Sequence, residues 1–370
     1  MRIGIIGAGQ LGQMLGIAAR DLDIECRFLD PAPAPPAASV GPVISRPFDD
    51  ADALATLADD CDIVTYEFEN VPVEALLQIA GRVTVNPPPE ALRISQDRLA
   101  EKNLFDSLEI PLAQYRAIDS LAILEDAASS IGLPLLVKTR RGGYDGKGQF
   151  LIQKENDIGK AWQQLGAHAL IAEQWIAFDY EVSVIGVRNA DGHIAIYPLT
   201  RNEHFAGILR RSRAPVDAPQ LMKLADQYIT KLLNHLNYVG VLALELFVTG
   251  ERLLANEFAP RVHNSGHWTI EGSATSQFAN HLHAISGQRL GPTNCRGHSG
   301  MLNLIGSVPE AARRIRDPHC RLHDYEKAAR PGRKVGHITV VADTVGERDR
   351  LLDHVDKVVA GSTMPQKASK

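Results

Sequence analysis

Short apolar runs of strand length alternate with amphipathic stretches of helical period along this chain, the pattern of a mixed α/β protein. Arg2–Ile6 is apolar after its first residue, as expected of a strand buried on both faces. A glycine-rich turn then leads into a helix running to about Arg20, and Ile24–Leu29 is a second strand ending at Asp30. Further strands are expected near residues 39–44, 63–66 and 83–85, so this first unit closes by about residue 86. Asn86 and the prolines up to Pro89 form a stiff, extended linker. A helix follows over roughly Glu90–Leu108; its polar and charged residues Gln96, Asp97, Arg98 and Lys102 read by themselves as a solvated face. Beyond it, the pattern predicts strands at Leu135–Lys138, Gln149–Gln153 and Ala169–Glu173, with a helix at Asp157–Leu165. Tyr180–Val187 should pair with Ile194–Leu199 across the Asp191-Gly192 turn, with the polar residues Thr200–His204 at the end of that strand. Gln220–Leu236 is an amphipathic helix. Late strands are expected at Gly300–Ile305 and Val335–Val341, and a last helix at Glu347–Val358.

Between them, Val241–Val248 and Arg252–Phe258 read as a hairpin turning at Gly250-Glu251. One acid interrupts each apolar strand: Glu245 between Leu244 and Leu246, and Glu257 after Asn256. Folding the hairpin brings the two carboxylates close to opposite each other. Two carboxylates and an amide make an oxygen-rich site suited to Mg²⁺, which commonly shares its ligands with phosphates. Arg261 follows and is suited to holding a phosphate oxygen bidentately. Either acid alone would read as a solvent-facing strand residue; the pair with Asn256 and Arg261 favours a metal and phosphate site.

A rival signal lies at the N-terminus. Gly7 to Gly12 spells G-x-G-x-x-G between a strand and a helix, with an acid, Asp30, at the end of the next strand. That is a nearly complete dinucleotide fingerprint, so a nicotinamide- or flavin-dependent enzyme is a second hypothesis. The proline-rich segment after Asp30 and the short first unit weaken it. The loop reads better as one lying near the phosphate of a substrate. Glu67, Glu69 and Asn70 stand just past the carboxyl end of a parallel strand, where ligands of such sheets bind. Glu67 is expected to touch substrate there; Glu69 is as well explained as a cap on the helix starting at Pro72.

Lys138 ends an apolar strand, an unusual place for an ammonium without a partner. Residues 139–148 follow with four glycines, two arginines and a lysine, a cationic loop able to close over a polyphosphate. Walker A spacing is not met. Gln174, Trp175 and Ile176 could flank an adenine, and His204 is kept as a nucleotide or substrate contact. The pairs His263/His267 and His281/His283 invite zinc, but no helical register or further ligand completes a set. Lys327, Arg330, Arg333 and Lys334 are either a phosphate clamp or a solvated loop.

Composition narrows the class. A chain of 370 residues predicts two or three domains, and 45% hydrophobic with 22% charged residues is ordinary for a globular protein. The net charge of −5 argues against nucleic acid as a partner. Four scattered cysteines without a C-x-x-C fit reduced structural thiols. The chain enters its first strand without a charged leader, and no apolar run reaches the ~18 residues of a membrane span. A cytoplasmic protein with no membrane partner is expected.

Several motifs together carry a resemblance: IGIIGAGQLGQM at the start, TYEFEN at 65–70, QDR at 96–98, GGYDGKG at 142–148, YPLTRNEH at 197–204, NEFAPRVHNSGH at 256–267 and RPGRKVGH at 330–337. With these the chain resembles, over nearly its whole length, one family of ATP-grasp ligases, the ATP-dependent N5-carboxyaminoimidazole ribonucleotide synthetases. Lys147 stands where arginine is also common, which keeps the charge. The resemblance implies a Rossmann-like domain at 1–89, an ATP-grasp domain at 90–290 with a glycine-rich lid at 139–149, and a small β-containing domain at 291–370. It implies ATP contacts from Arg98, Lys138, Gly143, Tyr144, Asp145, Gly146, Lys147, Gly148, Gln149, Glu173, Gln174, Trp175, Ile176, Glu181, His204, Asn256 and Glu257. Glu245 and Glu257 would hold Mg²⁺, or Mn²⁺ in its place. Tyr144, Asp145, Lys327 and Arg333 would meet the aminoimidazole ribonucleotide. By analogy with the related formate-using ligase, Gln10, Leu11 and Glu67 would line the same site. Lys138 and Arg261 would offset charge during catalysis, and Asp145 would take the proton of the attacking amine. ATP is then a co-substrate and bicarbonate the carbon source; no biotin is expected, and a homodimer is. The rival within the superfamily is the formate-dependent ligase of glycinamide ribonucleotide, and the rival outside it is the NAD(P)-dependent oxidoreductase.

Overall fold

The computed structural model describes residues 1–143 and 147–361. Three sheets organise them. The first is parallel, with strands β1 (Arg2–Ile6), β2 (Glu25–Leu29), β3 (Val43–Ile44), β4 (Ile63–Tyr66) and β5 (Thr84–Val85) in the order β3-β2-β1-β4-β5. Both faces are covered. The helix Gln10–Arg20 lies on one, and the helices Ala51–Asp60 and Val73–Ile79 lie on the other, burying Leu54, Leu57 and Leu76 against Ile6 and Val64. The second sheet is small and antiparallel, with β6 (Tyr115–Ile118), β7 (Leu135–Thr139), β8 (Gln149–Ile152) and β9 (Leu170–Gln174) in the order β6-β9-β7-β8. The helices Leu121–Ile131 and Ile158–Leu165 cover its apolar face.

The large antiparallel sheet holds β10 (Tyr180–Arg188), β11 (Ile194–Ile196), β12 (Thr200–Phe205), β13 (Ile208–Ala214), β14 (Gly240–Thr249), β15 (Arg252–Ala259), β16 (His298–Ile305), β17 (Cys320–Asp324) and β18 (Lys334–Ala342). Its order is β15-β14-β10-β12-β13-β16-β18-β17, with β11 on β10. The last three strands are thus a continuation of the central sheet, joined by antiparallel pairing of β13 with β16. The helix Val345–Gly361 packs over them through Leu352, Val355 and Val359.

The first sheet is tied to the large one by a shared core. Ile3, Leu11 and Leu15 pack in the same cluster as Val241, Phe278 and Leu282. A polar pin accompanies it: His281 is 1% exposed, accepts the Val241 N–H at Nδ1 (3.2 Å) and meets Thr65 Oγ1 at Nε2 (3.0 Å).

Several expectations are corrected. Pro36–Ser39 forms a 3₁₀ turn, so only Val43–Ile44 of the expected strand at 39–44 is extended. The helix expected over Glu90–Leu108 is two, Pro89–Ser95 and Arg98–Ser107, because Asp97 leaves the helix to accept the Leu99 N–H as its cap. Thr200–Phe205 is not the tail of a strand but a strand of its own, with Asn202 opposite Glu181. The pattern did not announce β6, β13, β17 or the helix Leu121–Ile131. Of these, β13 reads as a loop because of Arg210, Arg211 and Arg213. Those guanidiniums pair with Asp356, Asp353 and Asp349 of the last helix. All four cysteines are free thiols.

Candidate active site

The hairpin forms as its sequence implies, with Glu245 and Glu257 as register partners on β14 and β15. A bulge at Glu245/Leu246 adjusts the strand there, a common device beside functional groups. Both acids and Asn256 line a cleft of ≈ 780 Å³ between the small sheet and the large one. Burial first, and the Glu257 carboxylate second, push the Glu245 carboxyl well above the usual range. Glu245 is steadied by His263, whose Nε2 lies 3.2 Å from its Oε1. The Ser265 N–H points at His263 Nδ1 (3.3 Å), which leaves the ring proton on Nε2 facing the acid. Burial keeps this imidazole neutral, far below its ordinary pKa.

Two adjacent carboxylates with an amide, short of a full protein cage, fit a hard divalent cation that completes its shell with phosphates and water. Among the described residues no group of three or more histidines, cysteines or acids is arranged to hold a metal. Of the two histidine pairs, His263 serves Glu245 and His281 serves the pin described above.

Lys138 enters the same cleft from β7, and its partner is Glu173 on β9 at 3.0 Å. Burial lowers the Lys138 pKa, against the pull of Glu173. Burial alone would raise Glu173, but Lys102 and Lys138 more than reverse this and hold its carboxyl at about 2. The Glu173 carboxylate therefore serves the two lysines. Of the expected adenine contacts, Trp175 lines the cleft and is 45% exposed. The N–H groups of Gln174 and Trp175 are already given to the carbonyls of Gln114 and Pro134. Phe178 stacks on Phe247 at 4.6 Å beside Trp175, an aromatic ledge that the sequence did not single out. Glu181 and His204 meet at 2.6 Å. Burial opposes the His204 charge, yet Glu181, Glu245 and Glu257 raise its pKa.

Arg98 holds the root of the glycine-rich loop, donating to the carbonyls of Thr139 and Gly143 at 2.8 Å each. The loop's two arginines pair with an acid at its root. Arg140 forks onto Asp97 at 3.0 and 2.7 Å, and Arg141 reaches the same carboxylate. Lys147 and Gln149 line the cleft. Gly148 follows with φ +71°, and a Cβ there would meet Thr139 Oγ1 at 2.8 Å. Tyr144, Asp145 and Gly146 lie outside the described residues.

The N-terminal loop departs from the dinucleotide reading. The Gly7 N–H goes to the Leu29 carbonyl, the Ala8 N–H to Asp30 and the Gly9 N–H to Glu67, at 2.8, 2.8 and 2.6 Å. Asp30, the acid that would hold a ribose, is committed to Ala8 and Ala32. Three of the loop's backbone donors, those of Gly7, Ala8 and Gly9, are thus given to partners inside the protein. A Cβ on Gly7 or Gly9 would stand 2.9 Å from Glu67, so these glycines admit a buried carboxylate. Glu67 is 7% exposed and raised in pKa, by burial first. Leu11 is buried in the core. Gln10 is bonded to Lys327. Burial, and then Arg333, bring Lys327 down to about 8. Glu69, read as a helix cap, instead takes Arg261 at 2.5 Å. Arg261 and Lys334 line the cleft, and their charges also act on Glu67 and Lys327, so the N-terminal cluster adjoins that side of it.

The sequence reading did not single out Glu101 and took Lys102 for part of a solvated face, yet the two are 3% and 2% exposed. Helical spacing carried a signal: Glu101 stands three and four residues before the apolar Leu104 and Phe105.

Comparison with known proteins gives the family. Residues 1–96 match the ribonucleotide synthetase preATP-grasp domain, 103–278 the ATP-grasp domain, and 299–350 the phosphoribosylaminoimidazole carboxylase C-terminal domain. The N5-carboxyaminoimidazole ribonucleotide synthase of Pseudomonas aeruginosa is 48% identical over 340 residues, covering 92% of this chain and 94% of the relative. The chain belongs to that family. The synthetase structure from Thermus thermophilus superposes with a TM-score of 0.93 at 46% identity, covering 99% of this chain and 100% of that one. An Aspergillus clavatus family member, solved with ADP and 5-aminoimidazole ribonucleotide, gives 0.90 at 33% identity, covering 97% and 98%. The dinucleotide-dependent oxidoreductase is set aside by these relatives and by the committed donors of the N-terminal loop.

Proposed function

We propose that the chain uses ATP to carboxylate 5-aminoimidazole ribonucleotide at its exocyclic amine, giving N5-carboxyaminoimidazole ribonucleotide in purine biosynthesis. The observation that carries this is one cleft lined by the carboxylate pair Glu245 and Glu257 and by Lys138, in a chain related along its length to synthases of that product.

The finer steps belong to the same proposal. A bicarbonate oxygen attacks the γ-phosphorus of ATP; the bond to the bridging oxygen breaks and ADP leaves with the electron pair, giving carboxyphosphate. Glu245, Glu257 and Asn256 would hold Mg²⁺, with Mn²⁺ as a substitute, and the ion would supply charge neutralisation at the phosphates. Lys138 and Arg98 hold the nucleotide's phosphates. Arg261 stabilises charge on the transferred group. The amine nitrogen then bonds to the carboxyl carbon of carboxyphosphate, or of the CO₂ it releases, and phosphate leaves. Asp145 takes the amine proton. Gln10, Glu67, Lys327 and Arg333 hold the ribonucleotide. The family resemblance extends the reading to a cytoplasmic homodimer without biotin, whose mass sedimentation equilibrium would check.

The test is ADP release from Mg-ATP in bicarbonate buffer. Strong stimulation by aminoimidazole ribonucleotide, and none by glycinamide ribonucleotide with formate, is expected. The reverse pattern would transfer the chain to the formate-dependent chemistry.

A further inference from the structure

Beneath the phosphate end of the cleft lies a lysine that the reaction above does not use. Lys102 is 2% exposed on the helix Arg98–Ser107. Its Nζ donates to the Asn256 carbonyl at 2.6 Å and stands 3.5 Å from Glu173 Oε2. The other oxygen of that carboxylate holds Lys138 at 3.0 Å. One residue earlier, Glu101 accepts the Phe258 N–H at 2.7 Å. Glu101 and Lys102 thus grip the backbone on both sides of Glu257.

A buried ammonium needs fixed partners in place of water, so this geometry is held tightly. One partner is the strand carrying Glu257, and the other is the carboxylate that tethers Lys138. The side chain of Lys138 is long and flexible, and only a fixed Glu173 can keep its ammonium in place. Lys102 is what joins the two sides.

We propose that Lys102 is a positioning residue for phosphoryl transfer: it holds the Glu257 strand and, through Glu173, the Lys138 ammonium at one separation across the polyphosphate. The proposal rests on the reading of the cleft as a nucleotide site. It makes Lys102 act on the phosphates without touching them.

Lys102→Met keeps the stem and removes the ammonium. It is compared with Lys138→Met and with the double variant, by calorimetric binding of Mn-ATP and of adenosine, alongside thermal unfolding. Each single variant is expected to weaken Mn-ATP about tenfold or more with adenosine binding unchanged, and the double variant to be weaker than Lys138→Met alone by much less than the full Lys102→Met loss, because only the hold on the Glu257 strand is left to lose. Lys102→Arg, which keeps the charge, should recover part of the loss. Wild-type Mn-ATP affinity in Lys102→Met would overturn the proposal. So would an equal loss for adenosine, which marks a purely structural role, or full multiplication of the two losses. If Lys138→Met itself binds Mn-ATP normally, the reading of the cleft falls and the proposal with it. Where Lys102→Met does not fold, Lys102→Gln is judged by the same outcomes.

Discussion

The pin at His281 makes the union of the first sheet with the large one depend on pH. The Val241 N–H points at Nδ1, so the ring proton is on Nε2 and is donated to Thr65 Oγ1. A second proton would set one N–H against another inside the core. Burial accordingly holds the imidazole at about 4, against an ordinary 6.5. Between those values the unfolded chain binds the proton and the folded chain does not. Stability therefore is fully present above about pH 6.5 and falls as pH drops towards 4.

The displacement corresponds to about 3 kcal/mol in all, of which about 2 kcal/mol is lost between pH 7 and pH 5. His263, His267 and His337 are shifted in the same direction by burial, so the wild-type pH dependence alone does not isolate one ring. His281→Gln supplies a donor and an acceptor of similar reach and does not titrate. Urea unfolding of both proteins at pH 7 and pH 5, followed by tryptophan fluorescence, gives the difference of differences. The variant should lose about 2 kcal/mol less than wild type over that interval. Equal losses in the two proteins would refute the neutral pin.

Other perturbations follow from the same geometry. Glu173→Gln leaves two lysines around a neutral amide and should cost about 3–5 kcal/mol in urea unfolding, partly relieved by adding Lys138→Met, because removing one partner strands a buried charge. Glu245→Gln removes the repulsion with Glu257 and half of the carboxylate pair; aminoimidazole-stimulated ADP release should fall about 100-fold or more, and Mn²⁺ binding in the presence of ATP, read by electron paramagnetic resonance, should weaken with it. Asp97→Asn releases Arg140 and Arg141 at the root of the glycine-rich loop; ATP affinity by calorimetry should fall about tenfold, with a smaller effect on adenosine, since only the phosphates depend on the loop.

What was legible in the chain was whatever is encoded locally. Glu245 and Glu257 could be paired on paper because a two-residue turn fixes hairpin register, and the structure has them opposite each other. Lys138 could be singled out because an ammonium at the end of an apolar strand demands a partner. That the partner is Glu173, and that Glu173 is shared with Lys102, depends on β9 lying beside β7 and on a helix that precedes both strands, which no local spacing encodes. The glycine-rich N-terminus shows the opposite failure. Its spacing is that of a dinucleotide site, yet Asp30 and Glu67 take the loop's amides for themselves. The spacing reports that a backbone approaches something closely. Whether that something is a pyrophosphate or the protein's own carboxylate is decided by where β4 delivers Glu67, a tertiary fact. The same holds for Lys102: a charged residue on an amphipathic helix reads as solvated until the edge strand β15 arrives with the Asn256 carbonyl, at its bulge, as acceptor. Polar residues that serve other polar residues in the interior are the part of this site that pattern alone misassigns. In this chain they are Glu101, Lys102 and Glu173, which link the strand of Glu257 to Lys138.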